Sequence, residues 1–311
     1  MEAPASGDAL ARRYGVTRAA IWKRMQGLRE AGVAIEAEAG RGYALAQPLD
    51  LLDADGIVAA LATERARMLS CLEVAWSLDS TNSELLRREA PPLGVFALLA
   101  ERQTAGRGRR GRRWTSPLAA NLYLSLSRRY AGGLAQLGGL SLAAGVATAE
   151  ALHAVGAIDV QLKWPNDLVV GSRKLGGLLV EGSGEPAGTA RAVLGLGLNV
   201  RMPSTQAAAI EQPWTDLHAL LPILPTRNAL AARLLDHLLP ALALFDLEGL
   251  SPFLARYQQY DVLQGRAVEL AHGDSLHRGI ALGVAEDGAL RIAIDGAERR
   301  FHSGEVSVRA A

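Results

Sequence analysis

The chain has 311 residues, of which 49% are hydrophobic and 21% charged, a composition typical of a folded globular protein with room for two or three domains. Its formal net charge is +1 although five arginines lie within residues 106–114, which argues against a general polyanion-binding protein. A single cysteine, Cys71, excludes an internal disulfide, and we find neither a signal peptide nor an unbroken apolar segment of membrane-spanning length. We therefore expect a cytoplasmic protein without a membrane partner.

Residues 1–47 predict a truncated winged helix-turn-helix domain. Gly15 separates two helical apolar patterns, Thr17 stands where an N-cap belongs, and the alternating residues 33–45 predict a hairpin wing. The second helix of such a motif reads the major groove of DNA, and its predicted outward face carries Arg18, Trp22 and Lys23. Only residues 1–7 precede the first helix, so a small helical cap without DNA binding is the alternative.

We predict that residues 48–262 form the main domain. The sequence Ser80, Thr81, Asn82 follows a predicted strand at 72–78, and the spacing of Thr81 and Glu84 predicts a capping box that starts a helix at 83–88. Hydroxyl and amide groups at such a turn can also bond a ureido-like ligand. Other predicted helices cover residues 55–68, 134–155, 228–246 and 252–260.

A run of glycine-spaced arginines, GRGRRGRRW at residues 106–114, is named the arginine loop. Glycine lets the backbone pass close to a ligand, and each arginine offers a planar set of donors for carboxylate or phosphate. The run alone is equally typical of a nucleic-acid patch. Predicted strands at 95–100 and 121–127 hold both ends of the loop, however, which favours a ligand site.

Two further motifs carry lysines. The turn KWPND at 163–167 combines the cation Lys163 with Asn166 and Asp167, whose oxygens can coordinate Mg²⁺ directly or through water. The second motif is RKLGG at 173–177, and it precedes a strand at 192–200 whose alternate glycines clear one face for an apolar ligand tail.

Together these motifs resemble those of the bacterial biotin protein ligases, including the ligases that double as biotin operon repressors. The matching motifs are STN (80–82), Gln103, GRGRRGRRW (106–114), KWPND (163–167), RKLGG (173–177) and GLGLN (195–199). Each is weak alone, but six in order at compatible spacing are specific. The resemblance implies an α+β protein with a central mixed β-sheet of the class II aminoacyl-tRNA synthetase and lipoate ligase type, ending in an SH3-like β-barrel at residues 263–311.

The resemblance implies a two-step reaction. Biotin and ATP, with Mg²⁺, give biotinyl-5′-adenylate and pyrophosphate, and a lysine of the biotin carboxyl carrier protein of acetyl-CoA carboxylase then accepts the biotinyl group. A homodimer and an operator DNA are further implied partners. Residues 201–215 would fold over the adenylate as a mobile segment.

Residue roles follow from the resemblance as well. Biotin would be bound by Ser80, Thr81, Asn82, Gln103, Gly106, Arg107, Arg109, Arg110, Lys174, Gly176, Gly177, Gly195 and Gly197. Lys174 and Arg109 would be catalytic, Asp167 would bind Mg²⁺, and the nucleotide would contact Trp114, Lys163, Asn166, Asn199 and Arg309. Arg112 and Arg113 are left open to dimer or carrier contacts.

Two alternatives stand beside this interpretation. A lipoate or octanoate ligase shares the adenylating scaffold but would not require the arginine loop. A transcription regulator or RNA-binding protein without ligase activity would use the arginines on phosphates, and the near-neutral net charge is evidence against it.

Overall fold

The N-terminal region folds as a winged helix-turn-helix. The computed structural model describes residues 4–38, 41–184, 188–208, 210–272, 275–302 and 306–310. The region contains α1 (Gly7–Tyr14), α2 (Arg18–Glu30) and an antiparallel hairpin of β1 (Ile35–Glu38) and β2 (Gly42–Leu45). Thr17 caps α2 by accepting from the Ala20 amide at 3.2 Å, as its position predicts. The predicted helix pair and wing are therefore confirmed.

A seven-stranded mixed sheet forms the centre of the molecule. Its strands are β3 (Leu69–Ala75), β4 (Val95–Ala100), β5 (Leu122–Tyr130), β6 (Gln161–Lys163), β7 (Asp167–Val170), β8 (Arg173–Gly184) and β9 (Ala190–Leu198). The spatial order is β3-β4-β5-β9-β8-β7-β6, and β3 with β4 is the parallel pair among antiparallel neighbours. The predicted mixed sheet is confirmed.

Helices pack against both faces of this sheet, most of them over the larger core on one face. They are α3 (Ala54–Ala60), α4 (Thr63–Ala66), α5 (Thr81–Arg87), α6 (Leu140–Ala154), α7 (Ser204–Ala207), α8 (Leu217–Leu220), α9 (Arg227–Glu248) and α10 (Ser251–Tyr260). The small-residue helix α6 packs between α9 and the sheet, and eleven of its residues are buried. Within the described residues, no helix has the length and apolarity needed to cross a membrane.

Three predicted helices differ from the structure. The helix predicted at 134–155 begins at Leu140, because Gly139 has φ 86° and separates it from a short 3₁₀ turn at Leu134–Leu137. The helix predicted at 55–68 is two helices, α3 and α4. The helix predicted at 83–88 is α5 and begins at Thr81. Its predicted capping box was wrong, because Ser80 rather than Thr81 is the N-cap and accepts from the Ser83 amide at 3.4 Å.

The C-terminal region is a five-stranded antiparallel sheet. Its strands are β10 (Ala267–His272), β11 (Ser275–Val284), β12 (Leu290–Ile294), β13 (Ala297–Phe301) and β14 (Val306–Ala310), in the order β13-β12-β11-β10-β14. The indole Nε1 of Trp164 donates to the Gly288 carbonyl at 3.1 Å, which joins this sheet to the 163–167 turn of the main domain. The side chain of Arg309 lies outside the part of the chain that the structure describes.

A buried acid lies where α10 meets β6. Asp261 accepts from the Leu263 amide through Oδ1 at 2.9 Å, whereas its Oδ2 is buried and has no hydrogen-bond partner among the described residues. The hydroxyl of Tyr257 is buried in the same way. Burial raises the pKa of Asp261 to about 6, against a smaller opposing effect of the Leu263 amide.

We expect the Asp261 carboxyl to destabilise the fold as the pH rises. Its pKa is higher in the folded chain than the ordinary 3.8, so the native state binds the extra proton and stability falls between about pH 4 and 6. Relative to the wild type, Asp261→Asn should therefore gain up to about 3 kcal/mol in unfolding free energy over this interval. Urea unfolding of both proteins at several pH values measures the difference in their unfolding free energies. The other carboxyls are common to both proteins, so their contributions cancel.

Asp295→Asn, which makes the same change at an exposed carboxyl, is the matched control. A difference between wild type and Asp261→Asn that stays constant from pH 4 to 8 would contradict the assignment.

Candidate active site

A polar cup forms where α5 begins beneath the sheet. We use this name for Ser80, Thr81, Asn82, Gln103 and Ser125. The three residues at the start of α5 are each less than 5% exposed, and Ser125 is fully buried. The Thr81 amide donates to Gln103 Oε1 at 2.9 Å, and the Ser125 hydroxyl lies 2.7 Å from Thr81 Oγ1 and 2.6 Å from Asn82 Oδ1. The structure thus brings the residues of the STN motif and Gln103 together.

The rear wall of the cup runs into the arginine loop. Gln103 Nε2 donates to Ser116 Oγ at 3.0 Å, and Ser116 donates to the Trp114 carbonyl at 3.1 Å. Gly106 lies against the same group, since a Cβ at this position would be 2.6 Å from the Trp114 carbonyl oxygen and 2.7 Å from Ser116 Oγ. Only glycine fits here without displacing the loop.

The arginine loop is a closed hairpin rather than an extended tail. The Trp114 amide donates to the Gly106 carbonyl at 2.8 Å, and the Gly108 amide donates to the Arg112 carbonyl at 2.7 Å. Residues Arg109–Gly111 form a short 3₁₀ turn at its tip, where Arg110 and Gly111 have φ of 57° and 70°. The side chains of Arg110, Arg112 and Arg113 are exposed. This ordered mounting supports the ligand-site interpretation over a nucleic-acid tail.

Two arginines of the loop turn toward the sheet. Arg107 forms an ion pair with Glu181 on β8, with an N–O distance of 3.0 Å. Arg109 is half-buried and donates to Asn166 Oδ1 at 3.3 Å. Burial lowers the pKa of Arg109, the neighbouring charge of Arg110 lowers it further, and Asp167 opposes both. Arg109 nevertheless stays charged at neutral pH, because an arginine loses its proton only far above it.

Lys174 and Asp167 face each other across β7 and β8. Lys174 Nζ lies 2.6 Å from Asp167 Oδ1 and 5.6 Å from the centroid of the Trp114 ring. Gly177 clears the space beside this pair, since a Cβ there would be 3.3 Å from Lys174 Cε. Lys163 is the register partner of Asp167 on β6, so the two lysine motifs meet at one place. Asn166 Nδ2 donates to the Leu178 carbonyl at 2.7 Å, which fixes its amide.

The alternate glycines of β9 accommodate side chains of the protein itself. A Cβ at Gly195 would collide with Asn82 Oδ1, and one at Gly197 would lie 2.6 Å from Trp114 Cε2. A Cβ at Gly176 on β8 would lie 2.8 Å from the Gly197 carbonyl oxygen. The bare face that the sequence predicts for a ligand tail is therefore occupied over these two positions by Asn82 and Trp114.

A segment after α7 closes the far side of the site. The Lys174 amide donates to the Pro213 carbonyl, and the Thr215 amide donates to the Lys174 carbonyl, both at 2.9 Å. Asn199, which is 3% exposed, donates through Nδ2 to the Thr215 carbonyl at 3.0 Å. Trp114 Nε1 and Thr215 Oγ1 are buried without a hydrogen-bond partner among the described residues. Such atoms can bond a ligand at no cost in protein contacts.

The site thus joins a neutral polar cup to a cationic centre. The cup offers hydroxyl and amide groups suited to a ureido ring, and Arg109 with Lys174 offers charge for a carboxylate and a phosphate. The residues also fit Mg²⁺ bound with a nucleotide, because this ion needs only one or two carboxylates when phosphates supply further oxygens, and Asp167 provides one.

Sequence reasoning missed Ser116, Ser125, Glu181 and Thr215. Ser125 had a readable signal. It alternates with Leu124 and Leu126 and therefore points to the other face of β5, where an apolar residue would be expected in a strand buried on both faces. Glu181 gave no signal, since its role depends on pairing with a loop 74 residues away.

Comparison with known proteins places this geometry in a family. A model described as the biotin/lipoate A/B protein ligase family matches residues 75–199, an HTH domain model matches residues 2–44, and a biotin protein ligase C-terminal domain model matches residues 264–309. The chain is 43% identical over 306 residues to the bifunctional ligase/repressor BirA of Salmonella typhimurium, covering 98% of this chain and 93% of the relative.

Two more comparisons agree. The biotin–[acetyl-CoA-carboxylase] ligase of Mycobacterium tuberculosis is 36% identical over 245 residues, with 76% of this chain and 88% of the relative covered. The biotin protein ligase from Aquifex aeolicus in complex with biotin and ATP superposes with a TM-score of 0.65 at 27% identity, over 78% of this chain and all of that one. The chain therefore belongs to the biotin protein ligases, alongside the bifunctional ligase/repressors.

Proposed function

We propose that this ligase activates biotin with ATP, forming biotinyl-5′-adenylate, and then transfers the biotinyl group to a carrier protein. The carboxylate of biotin attacks the α-phosphorus and pyrophosphate leaves; a carrier lysine amine then attacks the carbonyl of the mixed anhydride and AMP leaves. Both nucleophiles belong to the substrates, so the protein must orient two anionic reactants and neutralise their charge. The observation that carries the proposal is that Trp114 links the two halves of the site. Its carbonyl accepts from Ser116 behind the cup, and its ring lies 5.6 Å from Lys174 Nζ, which is 2.6 Å from Asp167.

The cup would hold the ureido ring of biotin. Ser80, Thr81, Asn82 and Gln103 present buried hydroxyl and amide groups there, and the backbone of Gly106 and Arg107 would close over the ring. Backbone contacts of the ligand with Gly176, Gly177, Gly195 and Gly197 stay predictions from the sequence, and at Gly195 and Gly197 the side chains of Asn82 and Trp114 already lie against the glycine. Arg110 would join the loop over the ring. The alternative of a lipoate ligase is disfavoured, because a dithiolane ring would leave these buried polar groups unpaired.

The nucleotide would lie on the other side of Lys174. Trp114, Asn166 and Asn199 would line this side, and the Nε1 of Trp114, which has no hydrogen-bond partner among the described residues, would supply a donor. Lys163 and Asp167 would bind the triphosphate and Mg²⁺, and the metal, when bound, would neutralise phosphate charge. Arg309 stays a prediction from the sequence alone.

Lys174→Ala should cut adenylation by about 10² or more with little loss of biotin affinity, because the charge that Lys174 meets develops mainly in the transition state. Biotin-dependent exchange of pyrophosphate into ATP measures the rate, and calorimetry measures biotin binding. Arg173→Ala, an exposed neighbour, is the matched control. Equal losses in rate and affinity would make Lys174 a binding residue instead.

Arg109→Ala should weaken biotin binding and release adenylate into solution faster, since the loop would lose its bond to Asn166 and its cation beside the anhydride. Quenched reactions without carrier protein measure free adenylate over time. Arg113→Ala removes an exposed charge from the same loop and serves as control. Unchanged leakage would show that the loop does not retain the intermediate.

We further propose that the N-terminal domain binds operator DNA. Arg18, Trp22 and Lys23 are exposed on α2, and Trp22 is 57% exposed, which is unusual for a tryptophan without a partner surface. A cap that only covers the enzyme would have no need for this outward basic and aromatic face. The proposed domain boundaries are 1–47, 48–262 and 263–311, and a homodimer, with a carrier protein as substrate, completes the proposal.

Lys23→Ala should weaken binding to the chain's own promoter DNA and reduce the slope of log K against log salt by about 1, because one phosphate contact is lost. Fluorescence anisotropy at several salt concentrations measures both quantities. Arg299→Ala, an exposed cation of β13, should leave them unchanged. Binding that shows no preference for promoter over random DNA would contradict the operator proposal.

A further inference from the structure

Glu181 on β8 bonds both to the arginine loop and to the polar cup. One carboxylate oxygen lies 3.0 Å from the Arg107 guanidinium, and the other accepts from Asn82 Nδ2 at 2.9 Å. Asn82 Nδ2 also donates to the Leu179 carbonyl at 3.3 Å. We propose that Glu181 is a positioning residue that determines which groups of the cup donate hydrogen bonds and which accept them. It thereby makes the cup selective for a ligand that donates N–H groups. The inference rests on the proposed binding of the ureido ring in the cup.

The orientation of the Asn82 amide follows from its obligate neighbours. An ionised carboxylate and a backbone carbonyl can only accept, so the Asn82 atom that faces Glu181 and Leu179 must be the nitrogen. Its oxygen therefore faces Ser125, 2.6 Å away. At the other end, the Thr81 amide can only donate, so the Gln103 atom that faces it is the oxygen.

This orientation of the Asn82 amide also determines the direction in which the hydroxyls of Ser125 and Thr81 donate. Ser125 has one proton and two oxygens within reach, Asn82 Oδ1 at 2.6 Å and Thr81 Oγ1 at 2.7 Å. The amide oxygen cannot donate and the Thr81 hydroxyl can, so Ser125 donates to Asn82 and accepts from Thr81. Thr81 Oγ1 also lies 3.2 Å from Gln103 Oε1, but its proton goes to the nearer Ser125. Thr81 Oγ1 and Gln103 Oε1, which accepts one bond from the Thr81 amide, therefore each keep a lone pair for the cup. A lone pair is the partner that an N–H of a ureido ring needs.

Reversal of the Asn82 amide would reverse the direction of the hydrogen bonds between Asn82, Ser125 and Thr81. Nδ2 would then donate to Ser125, and Ser125 would donate to Thr81. The Thr81 proton would turn to Gln103 Oε1, 3.2 Å away, and would take up the lone pair that this oxygen otherwise offers to a ligand N–H. Glu181 prevents this reversal, because an amide oxygen facing a carboxylate is repelled. The ion pair with Arg107 holds the carboxylate in place, but the polarity depends on the bond to Asn82.

Glu181→Gln tests the inference, since glutamine keeps the size of the side chain yet can either donate or accept. We expect the dissociation constant for biotin, measured by calorimetry, to rise about tenfold, as it does when a buried group loses its partner. Desthiobiotin, which keeps the ureido ring, should weaken by the same factor. The KM for ATP in pyrophosphate exchange and the thermal midpoint should stay as in Glu298→Gln, a control that breaks an Arg–Glu pair of 2.7 Å between β12 and β13.

Three further variants separate the alternatives. In an Asn82→Ala background, Glu181→Gln should change the biotin dissociation constant by less than about twofold, because the hydrogen bonds that connect Glu181 to Ser125 and Thr81 are already broken. Arg107→Ala should not reproduce the effect of Glu181→Gln; if it does, and the double variant adds nothing, Glu181 acts only through the loop and the inference is overturned. An unchanged dissociation constant in Glu181→Gln, or a drop in thermal midpoint with a general loss of affinity, overturns it as well.

Thr81→Val distinguishes failure of this inference from failure of the proposed site. If the cup binds the ureido ring, Thr81→Val weakens biotin whatever Glu181 does. If Thr81→Val leaves biotin binding intact, the cup is not the ureido site, and the inference falls with that assignment.

Discussion

A single buried ion pair holds both ends of the segment that carries the arginine loop. The side chains of Arg227 and Glu101 are each 3% exposed and lie 2.7 Å apart. Arg227 also donates to the Asn121 carbonyl at 2.8 Å, and Glu101 accepts from the Leu52 amide at 2.5 Å. Residue 101 directly follows β4 and residue 121 directly precedes β5, so Arg227 at the start of α9 holds both ends. Loss of one partner would leave a buried charge, typically a cost of about 3–5 kcal/mol.

The site depends on this clamp because its groups come from distant parts of the sheet. The cup lies at the start of α5, its rear wall is formed by the two ends of the arginine loop, and the cationic centre lies on β7 and β8. Glycine at 195 and 197 allows the parts to approach, since Asn82 and Trp114 occupy the space that side chains on β9 would take. The same contacts make the loop an ordered hairpin, and an arginine held in a fixed place can stabilise a developing charge without reorganisation.

Much of this fold could be predicted from the sequence, because strand alternation and short motifs are local signals. The strand at 95–100 is β4 to the residue, and Thr17 is the predicted cap. Polar pairing across the sheet is not local. Glu181 bonds to residues 74 and 99 positions away, and no periodicity marks it. The cap at Ser80 was missed for a related reason: the hydroxyl of Thr81, which the capping box would have used, is engaged by Ser125 from β5.

Both flanking domains attach at turns that belong to the site. The Leu118 amide donates to the Ala31 carbonyl at the end of α2, two residues beyond Ser116 in the rear wall of the cup. At the opposite side, the Trp164 indole bonds to Gly288, two residues before Asn166. A shift of either domain would therefore move backbone that is within two residues of a ligand-facing group. Because packed interiors transmit displacement with little compression, the geometry of the cup and of the 163–167 turn is set by how these domains dock as well as by the sheet itself.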